Sequence, residues 1–354
     1  MKIIIAFSVL MVIFIMLLPV FVVKGVHAEH DISIQAVETE PVLSPEVSSE
    51  PAAVSPNPAA PSRGVDTTTM VKLKTGDSVV TLTMYDYLVG VVAAEMPASF
   101  YEEALKAQAV AARTYTYYKM LNGSNHSDAD VCDNCNCCKA YFSYEALREK
   151  WGEKYDYYIG IISKAVADTD GLCVTYEDEP ILAAFHSSSP GYTENSESVW
   201  HSPLPYLVSV ESPENGNTVP NFYTEVIVSF EEFKSTVKKS YPLAVFDTDQ
   251  EGWISDAEYS DSGRIIKVRV GGVEMTGTEL RGLFELRSTA VRWSVGNEYI
   301  CFEVTGYGHG VGMSQYGANE FAKNGADFFD ILSYYYRGTS VKSYLMLDSD
   351  KKLL

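Results

Sequence analysis

With 354 residues, 46% of them hydrophobic and 12% aromatic, the chain can bury one large core or two modest ones. A net charge of −20 and a pI near 4.7 exclude nucleic acid or an anionic membrane surface as the main ligand. The 24 Tyr against 4 Trp suit a carbohydrate cleft, because a phenol offers an apolar face and a hydrogen-bonding tip; half-exposed strands would use them equally well.

Residues 3–23 form an apolar run without charge, bracketed by Lys2 and Lys24. A bilayer core takes about 20 helical residues, so the run is expected to span it. It is longer than a usual secretory signal, although Val26-His27-Ala28 offers small residues for cleavage. The expected organisation is a transmembrane anchor at 1–24, with the remainder outside the cytoplasm. A linker follows at 25–66, where Pro41, Pro45, Pro51, Pro56, Pro58 and Pro61 enforce an extended chain. One catalytic domain is expected over 67–345, with about 220–300 as a subdomain, and a tail at 346–354.

The folded part opens with a hairpin over 71–82, turning at Thr75-Gly76-Asp77. Thr83 offers an N-cap with Asp86 three residues on. In the helix that follows, Leu88, Val91, Val92 and Glu95 share one face, and Pro97 stops it two residues past Glu95. Three of those four residues belong in a core. The fourth is a carboxylate with two readings from pattern alone: it turns to water at a frayed helix end, or it faces its apolar neighbours and the negative end of the helix dipole, which would favour the protonated form a general acid needs. A second helix is predicted over 103–120, its alanines at 104, 107, 109, 111 and 112 allowing close packing. Arg113 lies on it and is expected to pair with Glu95.

The loop from His126 holds Cys132, Cys135, Cys137 and Cys138. Two disulfides in so few residues strain a loop, whereas thiolates and one imidazole suit tetrahedral Zn²⁺. The preferred set is His126, Cys132, Cys137 and Cys138, with Cys135 competing for one place. Four protein ligands close a site and make it structural. Cys173 and Cys301 read as buried small hydrophobes.

Helices are predicted over 144–151 and 155–168, and strands over 172–176 and 181–186. The segment HSSSPGYTE, 186–194, sets hydroxyls, glycine and an imidazole at a strand end, a polar loop fit to line a pocket. It lacks the nucleophile-elbow pattern of a serine hydrolase. Further on come a strand at 223–229, a helix at 230–240, a strand at 265–270, a helix at 276–283 and a strand at 299–304. Asp247, Asp249, Glu251, Gly252, Ser255 and Glu258 match the places of a calcium loop, without the helix that should follow. GYGHGVGMSQYGA, 306–318, lets backbone approach a ligand around His309, with Ser314 and Gln315 extending the polar lining. Helices at 319–323 and 328–335 close the chain. The fold class is α+β, mixed α/β with antiparallel strands and a central cleft.

VVAAEMP, AQAVAARTY, HSSSPGYTE through Ser198-Val199-Trp200, LRGLFELRST and GYGHGVGMSQYGA, in that order, resemble the stage II sporulation protein D family of spore-forming Gram-positive bacteria. The resemblance implies a lytic transglycosylase anchored in the mother-cell membrane and facing the septal space. Such an enzyme cuts peptide-free peptidoglycan strands to 1,6-anhydro-muramyl ends during engulfment. It implies two partners: the amidase stage II sporulation protein P, which strips stem peptides, and the membrane protein stage II sporulation protein M. Glu95 matches the family's catalytic glutamate and Arg113 the arginine of its second helix. His126, Cys132 and Cys138 match the His and Cys of its zinc loop, with Cys137 where the family has another histidine. HSSSPGYTE departs from the usual HSTSGG at Ser188-Ser189-Pro190. The candidates for substrate binding are Arg113, His186, Ser187, Ser188, Tyr192, His309 and Gln315. Two other functions remain open on the sequence: a zinc-dependent amidase or peptidase acting on the stem peptide, and a non-catalytic glycan-binding scaffold.

Overall fold

A computed structural model describes residues 64–344, except 201 and 248. The apolar run at 3–23, most of the linker and the tail lie outside the described residues. Among those described, no helix is long and apolar enough to cross a membrane.

The chain is mixed α and β, with small, mostly antiparallel sheets around a helical core. The expected hairpin pairs Met70–Thr75 with Ser78–Thr83. Thr83 accepts from the Asp86 N–H at 3.1 Å and starts the Met84–Glu95 helix. Helix Glu102–Asn122 buries Ala104, Ala107, Ala109, Ala111 and Ala112, and helices Tyr155–Asp168, Gln315–Lys323 and Phe328–Tyr335 pack against it. Small side chains on one helix let several others approach it closely. A second apolar cluster gathers Phe233, Trp253, Val268, Leu280 and Phe302 between helix Phe230–Ser240 and two three-stranded antiparallel sheets.

Four sequence expectations change. The linker ends earlier than 66: Gly64 caps a short helix, Val65–Thr68, that carries the fully buried Asp66. The strand expected over 181–186 survives only as Phe185–His186. Upstream of it the backbone turns on itself, Ala183 and Ala184 donating to the Ile181 and Leu182 carbonyls, while Tyr206 and Tyr336 hydroxyls take up other main-chain groups. The helix expected from 319 begins at Gln315, because Ser314 caps it. The calcium reading of 247–258 fails: its second half is strand Ile254–Tyr259, in which Ser255 pairs with Arg269 and Glu258 with Lys267. A strand holds those positions in line instead of wrapping them round an ion.

Candidate active site

Glu95 is the last residue of its helix, half-buried, and both carboxylate oxygens are held. The Ala140 N–H donates to Oε1 at 3.1 Å and Gln315 Nε2–H to Oε2 at 3.2 Å. These donors come from opposite ends of the sequence, and the fold explains how they meet. Phe185–His186 pairs in parallel with Met313–Ser314, which fixes the 186–194 loop beside the glycine-rich loop and sets Gln315 over Glu95. The Tyr316 N–H donates to the Ser187 carbonyl, tightening the junction.

The two histidines are structural partners in this junction. Burial, with His309 and Arg264 nearby, holds His186 well below its ordinary pKa, so the ring is neutral. Its Nδ1–H donates to the Val311 carbonyl at 3.2 Å, which leaves Nε2 to accept from Ser189 Oγ at 2.6 Å. Burial, then the charges of Lys139 and Arg264, push His309 down to about 3. Its Nδ1 accepts from the Val311 N–H, and its ring lies 5.7 Å from His186 and 5.3 Å from Trp200. Gly310 must be glycine here: with φ +86°, a Cβ would sit 2.6 Å from the buried Arg264 guanidinium.

Two other acids lie beneath these loops, and both are buried and saturated with donors. Glu194 accepts from the Asn195 N–H and from the Ser260 and Ser262 hydroxyls. Glu214 accepts from the Ser189 N–H and from the Ser212 and Ser314 hydroxyls. They brace the loops, and Glu95 is left as the carboxylate on the cleft side.

Of the expected cleft residues, Gln315 touches Glu95 directly, and His186, Ser187 and His309 belong to the junction beside it. Ser188 is buried against Tyr307, each donating its N–H to the other's carbonyl, and its hydroxyl has no partner among the described residues. Tyr192, 49% exposed, bridges to Glu211 and makes none of these contacts. Arg113 requires correction. It is fully buried and does not reach Glu95: its Nε and Nη2 donate to Asp66 at 2.9 and 2.6 Å, and Nη1 to the Leu172 carbonyl at 3.1 Å. A side chain so enclosed cannot touch substrate.

His126, Cys132, Cys137 and Cys138 offer ligand atoms all within 4.8 Å of one another. The six cysteines are free, Cys135 is exposed and outside the group, and Cys173 and Cys301 are buried as expected. His126 Nε2 lies 3.5 Å from Cys137 Sγ and 3.9 Å from Cys138 Sγ, and the two sulfurs are 4.0 Å apart. Those separations approach the roughly 3.5–3.8 Å edges of a zinc tetrahedron with bonds of about 2.0–2.3 Å. Burial pushes the Cys132 thiol up to about 12, so it becomes a thiolate only beside a strong positive charge.

Lys139 and Ala140 follow Cys138 directly, and sequence reasoning missed both. The Lys139 side chain is buried with its ammonium 3.6 Å from the Phe185 ring centroid and 4.4 Å from that of Tyr115. Burial pushes it down to about 8, and the charge of Glu95 opposes that. The Cys/His loop thus delivers a backbone donor and a cation to the site. Trp200 belongs to the SVW stretch, and only the fold shows its ring, 39% exposed, set against His309.

The stretch bearing Glu95, Arg113 and the Cys/His loop is the one that a family model recognises: residues 73–176 match SpoIID, Stage II sporulation protein. The chain is therefore a sporulation-type protein. It is 37% identical to stage II sporulation protein D of Bacillus subtilis (strain 168), over 83% of this chain and 86% of that protein. To stage II sporulation protein D of Bacillus amyloliquefaciens it is 38% identical over 75% of each. The chain belongs to the stage II sporulation protein D family. It is also 29% identical to a protein named amidase enhancer in Bacillus subtilis (strain 168), over 73% of this chain and 40% of that protein.

Proposed function

We propose that the protein is a lytic transglycosylase acting on peptide-free glycan strands of peptidoglycan. The observation that carries this reading is the state of the acids near the cleft. Hydrolysis of a glycosidic bond ordinarily uses two carboxyl groups at a set separation. Among the described residues, Glu194 and Glu214 beneath the loops are buried and bound to hydroxyls and N–H groups, while Glu95 is half-buried and bound by one N–H and one amide. One carboxyl suffices when the sugar supplies its own nucleophile. Glu95 gives its proton to the glycosidic oxygen, the muramyl 6-hydroxyl attacks C1, and the Glu95 carboxylate takes the hydroxyl proton. The products are a free 4-hydroxyl end and a 1,6-anhydro-muramyl end, with no water consumed. Gln315 and Ala140 orient the carboxylate through both steps.

Membership of a sporulation family, and likeness to a protein named for enhancing an amidase, support a cell-wall setting for this chemistry. In that setting the apolar run at 3–23 anchors the enzyme in the mother-cell membrane, facing the septal space. Stage II sporulation protein P would supply stripped strands, and stage II sporulation protein M would hold the assembly. Mass spectrometry of purified glycan incubated with the protein tests the reaction. Stripped strands should yield products 18 Da lighter than hydrolysis products, by the loss of one water, and peptide-bearing strands should resist. Hydrolysed reducing ends, or no cleavage, would overturn the assignment.

His126, Cys132, Cys137 and Cys138 fit Zn²⁺, which would supply the positive charge that makes these thiols thiolates. Four protein donors leave no open position, so the metal's place is structural, and a zinc hydrolase acting on the stem peptide is disfavoured. The loop's task is to hold Lys139 and Ala140 against Glu95. Zinc stoichiometry should be one per chain in anaerobically purified protein, fall sharply in Cys132→Ser and Cys138→Ser, and stay at one in Cys135→Ser. A loss with Cys135→Ser would redraw the ligand set.

A further inference from the structure

A groove of about 820 Å³ lies apart from the Glu95 contacts. Tyr223 and Glu225 of strand Tyr223–Ser229, Glu303 of Tyr299–Thr305 and Arg292 of Val291–Val295 line its floor, and Pro190 and Ser262 wall it. Register puts Glu225, Glu303 and Arg292 in one row across the sheet, with Tyr223 opposite Thr305. Residues directly opposite in a sheet project to the same face.

Two features of this floor ask for a ligand. Tyr223 is 70% exposed, with only the Phe222 ring edge-on to it at 5.0 Å among the described rings. The Arg292 guanidinium lies 4.2 Å from the Tyr259 ring and, among the described residues, donates to the Val291 carbonyl and forms no ion pair. Stacking ring, acceptor carboxylates and an exposed arginine are what a sugar polymer bearing carboxylates requires. The walls tie the groove to the cleft. Pro190 belongs to the loop that carries His186 and Ser187, and Ser262 bonds Glu194 at the end of that loop. A strand cut internally must continue beyond the reacting bond, and the 186–194 loop borders both the groove and the cleft.

We propose that the groove is a distal binding surface for the glycan strand, with Tyr223 stacking on a sugar ring and Arg292 taking the lactyl carboxylate of a muramyl unit. The proposal rests on the glycan reading of the Glu95 cleft and extends it. The test measures binding of the full chain carrying Glu95→Gln to long stripped strands and to the same strands with carboxylates reduced to alcohols. Adding Arg292→Ala should weaken binding to native strands roughly tenfold, the loss of one charge-assisted hydrogen bond, and leave binding to reduced strands unaltered. Tyr223→Ala should weaken binding to both. Both side chains are exposed, so matching thermal melts verify the fold. Equal affinity in all variants, with anhydro products still formed by the wild type, overturns the groove and spares the cleft reading. Binding that falls as expected in a protein that yields no anhydro product supports the groove and overturns the cleft chemistry. No glycan binding by the Glu95→Gln parent overturns both.

Discussion

Glu95→Gln is expected to abolish release of anhydro-muramyl ends, with a loss of 10³-fold or more and no change in melting temperature. General acid or base catalysis is worth about 10²–10⁴-fold for one proton transfer, and in the proposed reaction one group performs both transfers. The substitution is close to isosteric, and its amide oxygen can still accept from the Ala140 N–H, which donates to Glu95 at 3.1 Å. The Phe185–His186 and Met313–Ser314 pairing does not involve Glu95, so the cleft loops stay in place. What disappears is the transferable proton. Retention of one-tenth of wild-type activity would mean that another group protonates the leaving oxygen. Glu194 and Glu214 cannot step in without shedding the hydroxyls that hold them.

Much of this site was legible in the chain because it depends on local pattern. The Thr83 cap, the apolar face ending in Glu95 and the break at Pro97 are set within a few residues of one another, and the helix is found where they predict. The same holds for Tyr144–Trp151, Tyr155–Asp168 and Phe230–Ser240, each with clear period and a stop. The His126, Cys132, Cys137 and Cys138 grouping was reached from donor type alone, and Cys135 lies outside it. What was not legible depends on distant partners. Ile254–Tyr259 reads as an acidic loop, and only its pairing with Ile265–Val270 makes it a strand. Ala140 contributes through its backbone N–H, which carries no side-chain signature. Lys139 is an ordinary charged loop residue until Tyr115 and Phe185 close over it. By sequence Arg113 pairs with the nearest acid on the preceding helix, whereas its partner Asp66 lies in a segment that reads as linker.

That misplaced partner has the largest consequence for stability. Asp66 and Arg113 form a fully buried pair, and the Arg113 guanidinium also bonds main-chain groups of Leu172 and Val166. Asp170 completes the knot by accepting from the Val65 and Asp66 N–H groups at 2.9 Å. Burial raises the Asp66 pKa, and the attraction of Arg113 opposes this without reversing it. Desolvation therefore outweighs attraction at the Asp66 carboxyl, and a buried pair of this kind adds little net stability. Removing one partner is another matter. Asp66→Ala leaves a guanidinium buried without its counter-charge and should cost about 3–5 kcal/mol. Replacing both, as Asp66→Leu with Arg113→Met, should recover most of that loss, since no charge then remains in the core. Urea unfolding of Asp66→Leu, Arg113→Met and the double variant measures the coupling, and additive losses would deny it. The pH dependence follows with a definite sign. A carboxyl whose pKa is higher folded than unfolded binds its proton better in the fold, so its contribution is full below the ordinary aspartate value and is lost as pH rises through the folded value. Asp66→Asn should remove that decline from the stability profile above the ordinary aspartate value. A profile unchanged by Asp66→Asn would mean that the decline comes from another group.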